Sequence, residues 1–306
     1  MGSRNVTIGS RGSPLALWQA NWIKDLLQAH HSDLDVDIKI IKTSGDKIQN
    51  IPLAKIGGKG LFVKEIEDRL LDGSIDIAVH SMKDMPTMQP DGLILDTYLP
   101  REDFRDAFIS NTVNTITDLP KGCTVGTSSL RRRAQVLNIR RDLEVVEFRG
   151  NVQTRLKKLT DGVASGTFLA MAGLNRLDIA NIATKAIEPS LMLPAVGQGA
   201  IGIERRASDR VAAQFLEPIH HVETGQRLAA ERAFLKELDG SCETPIAGLS
   251  ILNGTELFLR GEVLKPDGTE KLVGKRRGVI SDAVEMGHDL ARELLSQAGA
   301  EFFTWR

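Results

Sequence analysis

The chain has 306 residues, 42% of them hydrophobic, and a formal net charge of −1. One hydrophobic core rarely serves such a length, so domains of roughly 100 residues each are expected, and the near-neutral total excludes a chain that works by bulk attraction to nucleic acid or acidic membranes. The two cysteines, Cys123 and Cys242, lie far apart without any CxxC spacing, and no apolar run reaches signal-peptide or membrane-span length, so no disulfide framework and no metal are expected and a soluble, cytoplasmic protein is.

Val6-Thr7-Ile8 reads as a short strand, and Ser13-Pro14 then supplies a cap and a first-turn proline for a helix with Leu15, Trp18, Trp22 and Leu26 on one face. Val36, Ile38 and Ile40 alternate with charged residues as a half-buried strand does, residues 61–71 read as a helix closed by Gly73, and residues 75–79 as a further strand. Gly57-Gly58-Lys59-Gly60 stands before that helix, where free N–H groups and a lysine can bind an anion. It lacks the length and the terminal Lys-Ser or Lys-Thr of a P-loop, and a plain surface loop explains it equally well. Strand and helix signals alternate through residues 123–126, 129–137, 145–148, 152–159 and 168–171, which implies βα units around largely parallel sheets. After Pro218 the pattern changes. A helix over 224–238, turns at Asn253-Gly254 and Pro266-Asp267-Gly268, and a closing helix over 283–297 describe a small α+β domain with Cys242 in the loop at its entry.

Arg131, Arg132, Arg133, Arg140, Arg141, Arg149 and Arg155 fall in one stretch and ask for an anion. The run Thr127-Ser128-Ser129-Leu130-Arg131-Arg132-Arg133 puts three arginines at the positive end of a helix, which costs about 0.3–1 kcal/mol per exposed charge unless something negative sits there. Arg149-Gly150-Asn151 repeats the arrangement at another strand-to-helix junction, with Arg155 one turn on. Two such junctions would make a carboxylate-binding wall, because the arginine fork pairs with carboxylates bidentately. A solvated basic helix face is the plain alternative. His80 to Pro86 lies at the end of a strand, where α/β folds place ligand contacts, and Asp84 there is the acid–base candidate beside Lys83. A surface Lys-Asp pair before a turn proline, an inert Cys242, and a structural His80 are the corresponding bland readings; Cys123 reads as core and His220-His221 as linker.

Together these segments resemble the porphobilinogen deaminase family over nearly the whole chain. The resemblance is carried by Gly9-Ser10-Arg11-Gly12-Ser13-Pro14-Leu15-Ala16, by residues 57–65, by residues 76–86, by Gly126 to Arg132, by Arg149-Gly150-Asn151-Val152, by residues 194–200, by Glu231-Arg232-Ala233-Phe234-Leu235, and by the cysteine loop Gly240-Ser241-Cys242-Glu243-Thr244-Pro245-Ile246. It implies two periplasmic-binding-protein-like α/β lobes and a small C-terminal α+β domain: 1–99 continued by 200–217, then 105–193, then 222–306, with hinges near Pro100 and Pro194. It also implies that four porphobilinogens are joined head to tail, with loss of ammonia, on a dipyrromethane bound to Cys242 through a thioether. Asp84 would be catalytic. Arg11, Ser13, Ser81, Lys83, Thr127, Ser128, Ser129, Arg131, Arg132, Arg149, Gly150, Arg155, Arg176 and Gln198 would hold cofactor and substrate, and Lys55, Lys59 and Phe62 would belong to a mobile covering loop. The product, hydroxymethylbilane, would pass to a uroporphyrinogen-III synthase, and the enzyme would be a monomer.

Three rival readings stand beside this one. A two-lobed polycarboxylate-binding protein explains the arginines but not Cys242. A cysteine hydrolase would need His80 within reach of Cys242. A nucleic-acid site at Arg131 to Arg141 is opposed by the near-neutral charge and the single tyrosine.

Overall fold

A computed structural model describes residues 4–47, 63–240, 244–299 and 302–304. They form two compact units, the first made of residues 4–47, 63–102 and 200–225, the second of residues 103–199 and those described from 226 onward.

In the first unit, β1 (Arg4–Ser10), β2 (Leu34–Ile40), β3 (Ile77–Ser81) and β4 (Leu93–Tyr98) are joined by a strand from much later in the chain, β10 (Ile201–Arg206), in the order β2-β1-β3-β10-β4. β1 is parallel to β2 and β3, whereas β10 is antiparallel to β3 and β4. Val6, Ile8, Val36, Ile77, Val79, Ile201 and Ile203 bury one sheet face against Ala20, Ile23 and Leu27 of the helix Pro14–His30. The other face lies under the helix Lys64–Leu71, whose Ile66 and Leu70 pack with Ala78 and Leu93. Strands covered on both faces read as apolar runs, which is why β3 was legible. The first helix sits about one residue round from its expected face. Its buried positions are Gln19, Ala20, Ile23 and Leu27, while Trp18 is 36% exposed and stacks on Trp22 with ring centroids 5.4 Å apart. Small Ala20 lets the helix lie close to the sheet, and the two indoles, too bulky for the centre, flank it.

The second unit begins with β5 (Asp106–Ile109), followed by β6 (Thr124–Gly126), β7 (Glu144–Val146), β8 (Gly166–Ala170) and β9 (Lys185–Ile187), in the order β7-β6-β8-β5-β9. β6 runs parallel to β7 and β8, and β5 antiparallel to β8 and β9. Both sheets therefore share one plan: three parallel strands, then an antiparallel strand inserted before the last. In each, the insert is the first strand laid down after the chain passes from one unit to the other. In each sheet four of the five strands therefore run in one direction, as the βα reading implies, and the inserted strand makes two of the four pairings antiparallel.

The C-terminal domain is an antiparallel meander, β11 (Ile246–Asn253), β12 (Glu256–Leu264) and β13 (Lys271–Val279), with the helices Val222–Glu237 and Ala283–Gln297. Its core centres on Phe234, which meets Leu257, Leu259, Val263 and Leu290. The ring fits because Gly261 has no side chain: a Cβ there would stand 2.4 Å from Phe234 Cζ. The turns expected at Gly254 and Gly268 are present, with φ of 62° and 71°. The second turn docks on the helix Leu130–Ile139, where Asn138 Nδ2 donates to the Gly268 carbonyl at 2.9 Å.

Gly261→Ala should force that ring out of place and lower unfolding stability by about 1–3 kcal/mol. Urea denaturation of the two proteins side by side measures it, and an unchanged midpoint would show that the domain core repacks freely.

Candidate active site

In both sheets the candidate residues sit at the carboxyl ends of the parallel strands, where an open α/β sheet leaves a crevice. In the first unit, the loop after β1 carries Arg11 and Ser13, and the short 3-10 turn Met82–Asp84 after β3 carries Lys83 and Asp84. A pocket between them is lined by Arg11, Ser13, Gln19, His80, Ser81 and Asp84, among others. Ser13 caps the first helix, its Oγ accepting from Ala16 N at 3.3 Å. Met82 N donates to Ala200 O at 3.0 Å and so pins the turn to β10. Among the described residues, no hydrogen bond or ion pair engages the half-buried Asp84 carboxylate. Gln19 Nε2 donates to Ser81 Oγ at 3.0 Å. Sequence reading passes over Gln19, although a glutamine one residue round from an apolar helix stripe is a signal of a polar contact on the buried side. His80 Nε2 is 3.0 Å from Glu204 Oε2, with both side chains buried. A buried carboxylate thus orients the His80 ring, and Cys242, the other residue the hydrolase reading needs, lies outside the described residues.

In the second unit, the loop after β6 carries Thr127, Ser128 and Ser129. Ser129 caps the helix Leu130–Ile139, its Oγ accepting from Arg132 N at 3.4 Å, and Thr127 Oγ1 accepts from Ser129 N at 3.2 Å. Those three residues, Arg133 and Glu147 line a second pocket. Arg131 and Arg132 do not reach into solvent. Both are 5% exposed and close on Asp106, at the head of β5. Arg131 Nη1 donates to Asp106 Oδ2 at 2.7 Å and Arg132 Nη2 to Asp106 Oδ1 at 2.7 Å; Arg131 Nη1 also donates to the Leu193 carbonyl and Arg132 Nη1 to the Phe168 carbonyl, both at 2.9 Å. The negative group demanded by arginines at a helix N-terminus is thus internal in part, and the solvated-face alternative does not hold. Burial alone would raise the Asp106 carboxyl, but the two guanidiniums outweigh it and hold it well below the usual carboxylate range. Burial pushes the Arg132 guanidinium down, against the pull of Asp106.

Gln198 donates to the same Asp106 Oδ1 at 3.0 Å and to Phe104 O at 2.7 Å. Arg176, 6% exposed, donates to Gly199 O at 2.7 Å. Glu231, which the sequence marks without a role, accepts from Gly197 N at 2.8 Å. These bonds hold residues 197–199 within the second unit. After β7, Gly150 has φ of 116° and faces Thr154, so only glycine fits there, and Asn151 caps the helix Val152–Thr160. Arg155 Nε donates to Gly150 O at 2.9 Å, and Lys158 Nζ to Arg149 O at 3.3 Å. Lys55, Lys59, Phe62 and Cys242 lie outside the described residues.

A family model described as "Porphobilinogen deaminase, dipyromethane cofactor binding domain" matches residues 6–214, and one described as "Porphobilinogen deaminase, C-terminal domain" matches residues 226–296. The porphobilinogen deaminase of Paracoccus denitrificans (strain Pd 1222) is 58% identical over 303 residues, 98% of this chain and 96% of that protein. That of Nitrobacter hamburgensis (strain DSM 10229 / NCIMB 13809 / X14) is 54% identical over 302 residues, covering 98% and 95%. The chain belongs to the porphobilinogen deaminase family. With that membership come transferase activity as a hydroxymethylbilane synthase, a place in tetrapyrrole synthesis and a dipyrromethane cofactor. The non-enzymatic binding-protein alternative is not favoured. Among solved structures the chain is similar to the methionine binding protein MetQ (TM-score 0.44, 12% identity, 72% of this chain and 90% of that one). It is also similar to the alkanesulfonate-binding protein SsuA from Xanthomonas axonopodis pv. citri (TM-score 0.39, 14% identity, 78% and 76%). Among the described residues no helix is long and apolar enough to cross a membrane, and no group of three or more His, Cys, Asp or Glu is placed to hold a metal.

The cofactor's pyrroles carry acetate and propionate groups, and the residues of this deaminase fit such carboxylates. At the N-terminal turn of helix 130–139 two buried guanidiniums face one buried carboxylate, while Ser128 Oγ and Arg131 Nε are buried with no hydrogen-bond partner among the described residues. One more carboxylate would satisfy both the charge and the donors.

Asp106→Ala should leave two buried guanidiniums uncompensated and cost about 3–5 kcal/mol of stability. The sign with pH follows from the lowered carboxyl: its contribution is present above the ordinary carboxylate range and is lost as pH falls through the native-state value. The gap between wild type and Asp106→Ala in thermal melts should therefore be full at pH 7 and shrink in strong acid; a gap independent of pH would contradict the assignment.

Proposed function

We propose that this deaminase condenses four porphobilinogens head to tail into hydroxymethylbilane, with loss of ammonia, on a dipyrromethane that Cys242 holds through a thioether. The observation that carries the reading is the excess of buried positive charge around Asp106, with donors of Ser128 and Arg131 left open in the same turn. A growing chain of pyrroles brings two carboxylates per ring, and such groups can be buried only against paired donors. Bound dipyrromethane supplies a primer with a nucleophilic pyrrole α-carbon. The protein's share of the work falls to Arg11, Ser13, Ser81 and Lys83 in the first unit, and to Thr127, Ser128, Ser129, Arg131, Arg132, Arg149, Gly150, Arg155, Arg176 and Gln198 in the second, which bind and orient the carboxylates. Arg131, Arg132 and Gln198 do so from a scaffold fixed by Asp106.

Asp84 is the catalytic carboxylate. When ammonia leaves porphobilinogen, the substrate ring becomes an azafulvene with positive charge on its nitrogen, and an ionised carboxylate at the ring N–H stabilises that charge. A carboxylate on a short turn with no hydrogen-bond or ion-pair partner among the described residues, as Asp84 is, suits that task. The working modules are 1–99 with 200–217, 105–193, and 222–306. The enzyme acts as a cytoplasmic monomer, and its unstable linear product passes to a uroporphyrinogen-III synthase.

Asp84→Ala should fold normally, keep its cofactor and lose about 10²–10⁴-fold in turnover. Porphobilinogen consumption by the loaded variant measures this, and near-normal turnover would remove Asp84 from its role. Arg149→Leu, which leaves the Asp106 cluster untouched, should yield protein poor in covalently bound cofactor; full loading would count against the carboxylate wall.

A further inference from the structure

The first unit holds a second cluster of titratable groups, which the mechanism above does not use. In the β3–β10 pairing His80 stands opposite Gly202 and Ala78 opposite Glu204, so His80 and Glu204 share the sheet face that lies under the helix Lys64–Leu71. His80 Nε2 and Glu204 Oε2 are 3.0 Å apart, with 4% and 0% of their side chains exposed. Glu204 Oε1 is buried with no hydrogen-bond partner among the described residues. The helix contributes buried Glu67, whose carboxyl is pushed up to about 7 by burial first, then by the charges of Glu204 and Asp68.

The neighbouring elements add no free charge to this cluster. β4 faces it with Leu93 and Leu95, and β1 with Gly9. Arg206, two residues along β10, donates to the carbonyls of Leu70 and Ile75 and pairs with Asp76 and Asp209. Asp96 pairs with Arg205, Glu65 accepts from Ser44 N, and Lys64, Asp68 and Arg69 are exposed. Two ionised carboxylates beside a neutral imidazole would leave a double negative charge in the core, which desolvation opposes. Burial and the charge of Glu204 therefore favour the protonated form of Glu67. His80 is also a wall residue of the pocket that contains Ser81 and Asp84. Glu204 fixes its ring and tautomer, and the other ring nitrogen has no hydrogen-bond partner among the described residues.

We propose that His80, oriented by Glu204 with Glu67 behind it, is a proton-holding residue of this site and takes up the proton that each condensation sets free. The inference rests on the deaminase reading above. In the condensation the C–N bond of the protonated aminomethyl group breaks and ammonia departs with the electron pair. The freed methylene bonds to the α-carbon of an acceptor pyrrole, whose C–H electron pair returns to the ring as the hydrogen leaves as a proton. Asp84 must stay ionised to stabilise the cationic ring, so a second group has to accept that proton. His80 accepts it and returns it to ammonia or to water.

His80→Gln keeps a side-chain donor for Glu204 but has no second basic nitrogen. Compared with wild type as the loaded holoenzyme, with intact mass reporting the cofactor and circular dichroism the fold, it should lose about 100-fold in kcat while KM stays within about twofold. Glu67→Gln, which removes a buried carboxyl whose pKa burial and the Glu204 charge push up to about 7, should shift the kcat–pH profile relative to wild type. A loaded His80→Gln enzyme with wild-type kcat overturns the proposal. Should that variant not fold, a Glu67→Gln profile superimposable on wild type overturns it instead. Wild-type protein that carries no cofactor and makes no tetrapyrrole defeats the deaminase reading itself, a distinct result.

Discussion

One buried carboxylate organises the second unit. Asp106 opens β5, the strand with which the chain enters that unit, and it receives two arginines from the first turn of helix 130–139 and the amide of Gln198 from the segment by which the chain leaves. Entry strand, anion-facing helix and exit segment are thereby fixed to one point. Low dielectric makes such a network costly to leave incomplete, and it is incomplete in one respect: two guanidiniums outnumber the carboxylate, and donors in the same turn remain open. The proposed affinity for carboxylates follows from that same imbalance.

The first unit applies the same sheet plan to a different end. Its strand ends present a serine cap, an arginine and, after β3, a short turn on which the Asp84 carboxylate has no hydrogen-bond or ion-pair partner among the described residues. Charge is buried there as well, in the His80–Glu204–Glu67 cluster, but with the opposite sign. The second unit thus carries surplus positive charge suited to carboxylates, and the first carries carboxylates suited to cations and protons. Deamination needs both, since its substrate is a polycarboxylate that passes through a cationic state.

Much of this was legible in the sequence because the strand-end loops combine capping residues with the side chains that do chemistry. Ser13-Pro14 and Ser129 announced helices, and the glycine turns at Gly254 and Gly268 announced hairpins. The inserted strands β5 and β10 were not legible: they carry a buried Asp106 and Glu204, which break the apolar pattern that marks a covered strand. Their partners were hidden for the same reason. An arginine run looks alike whether it meets solvent, ligand or a buried aspartate 25 positions earlier, and only tertiary pairing distinguishes them. The first helix was misjudged by one residue because tryptophan marks hydrophobicity, whereas the tightest contact with a sheet goes to the smaller alanine.

The central claim is that this chain completes its surplus of buried positive charge with the carboxylates of a dipyrromethane anchored at Cys242. The most direct measurement is the intact mass of the denatured, purified protein beside that of Cys242→Ser. The account predicts an excess over the sequence mass equal to two porphobilinogens less two ammonias, absent from the variant. A bare sequence mass that incubation with porphobilinogen leaves unchanged would contradict it.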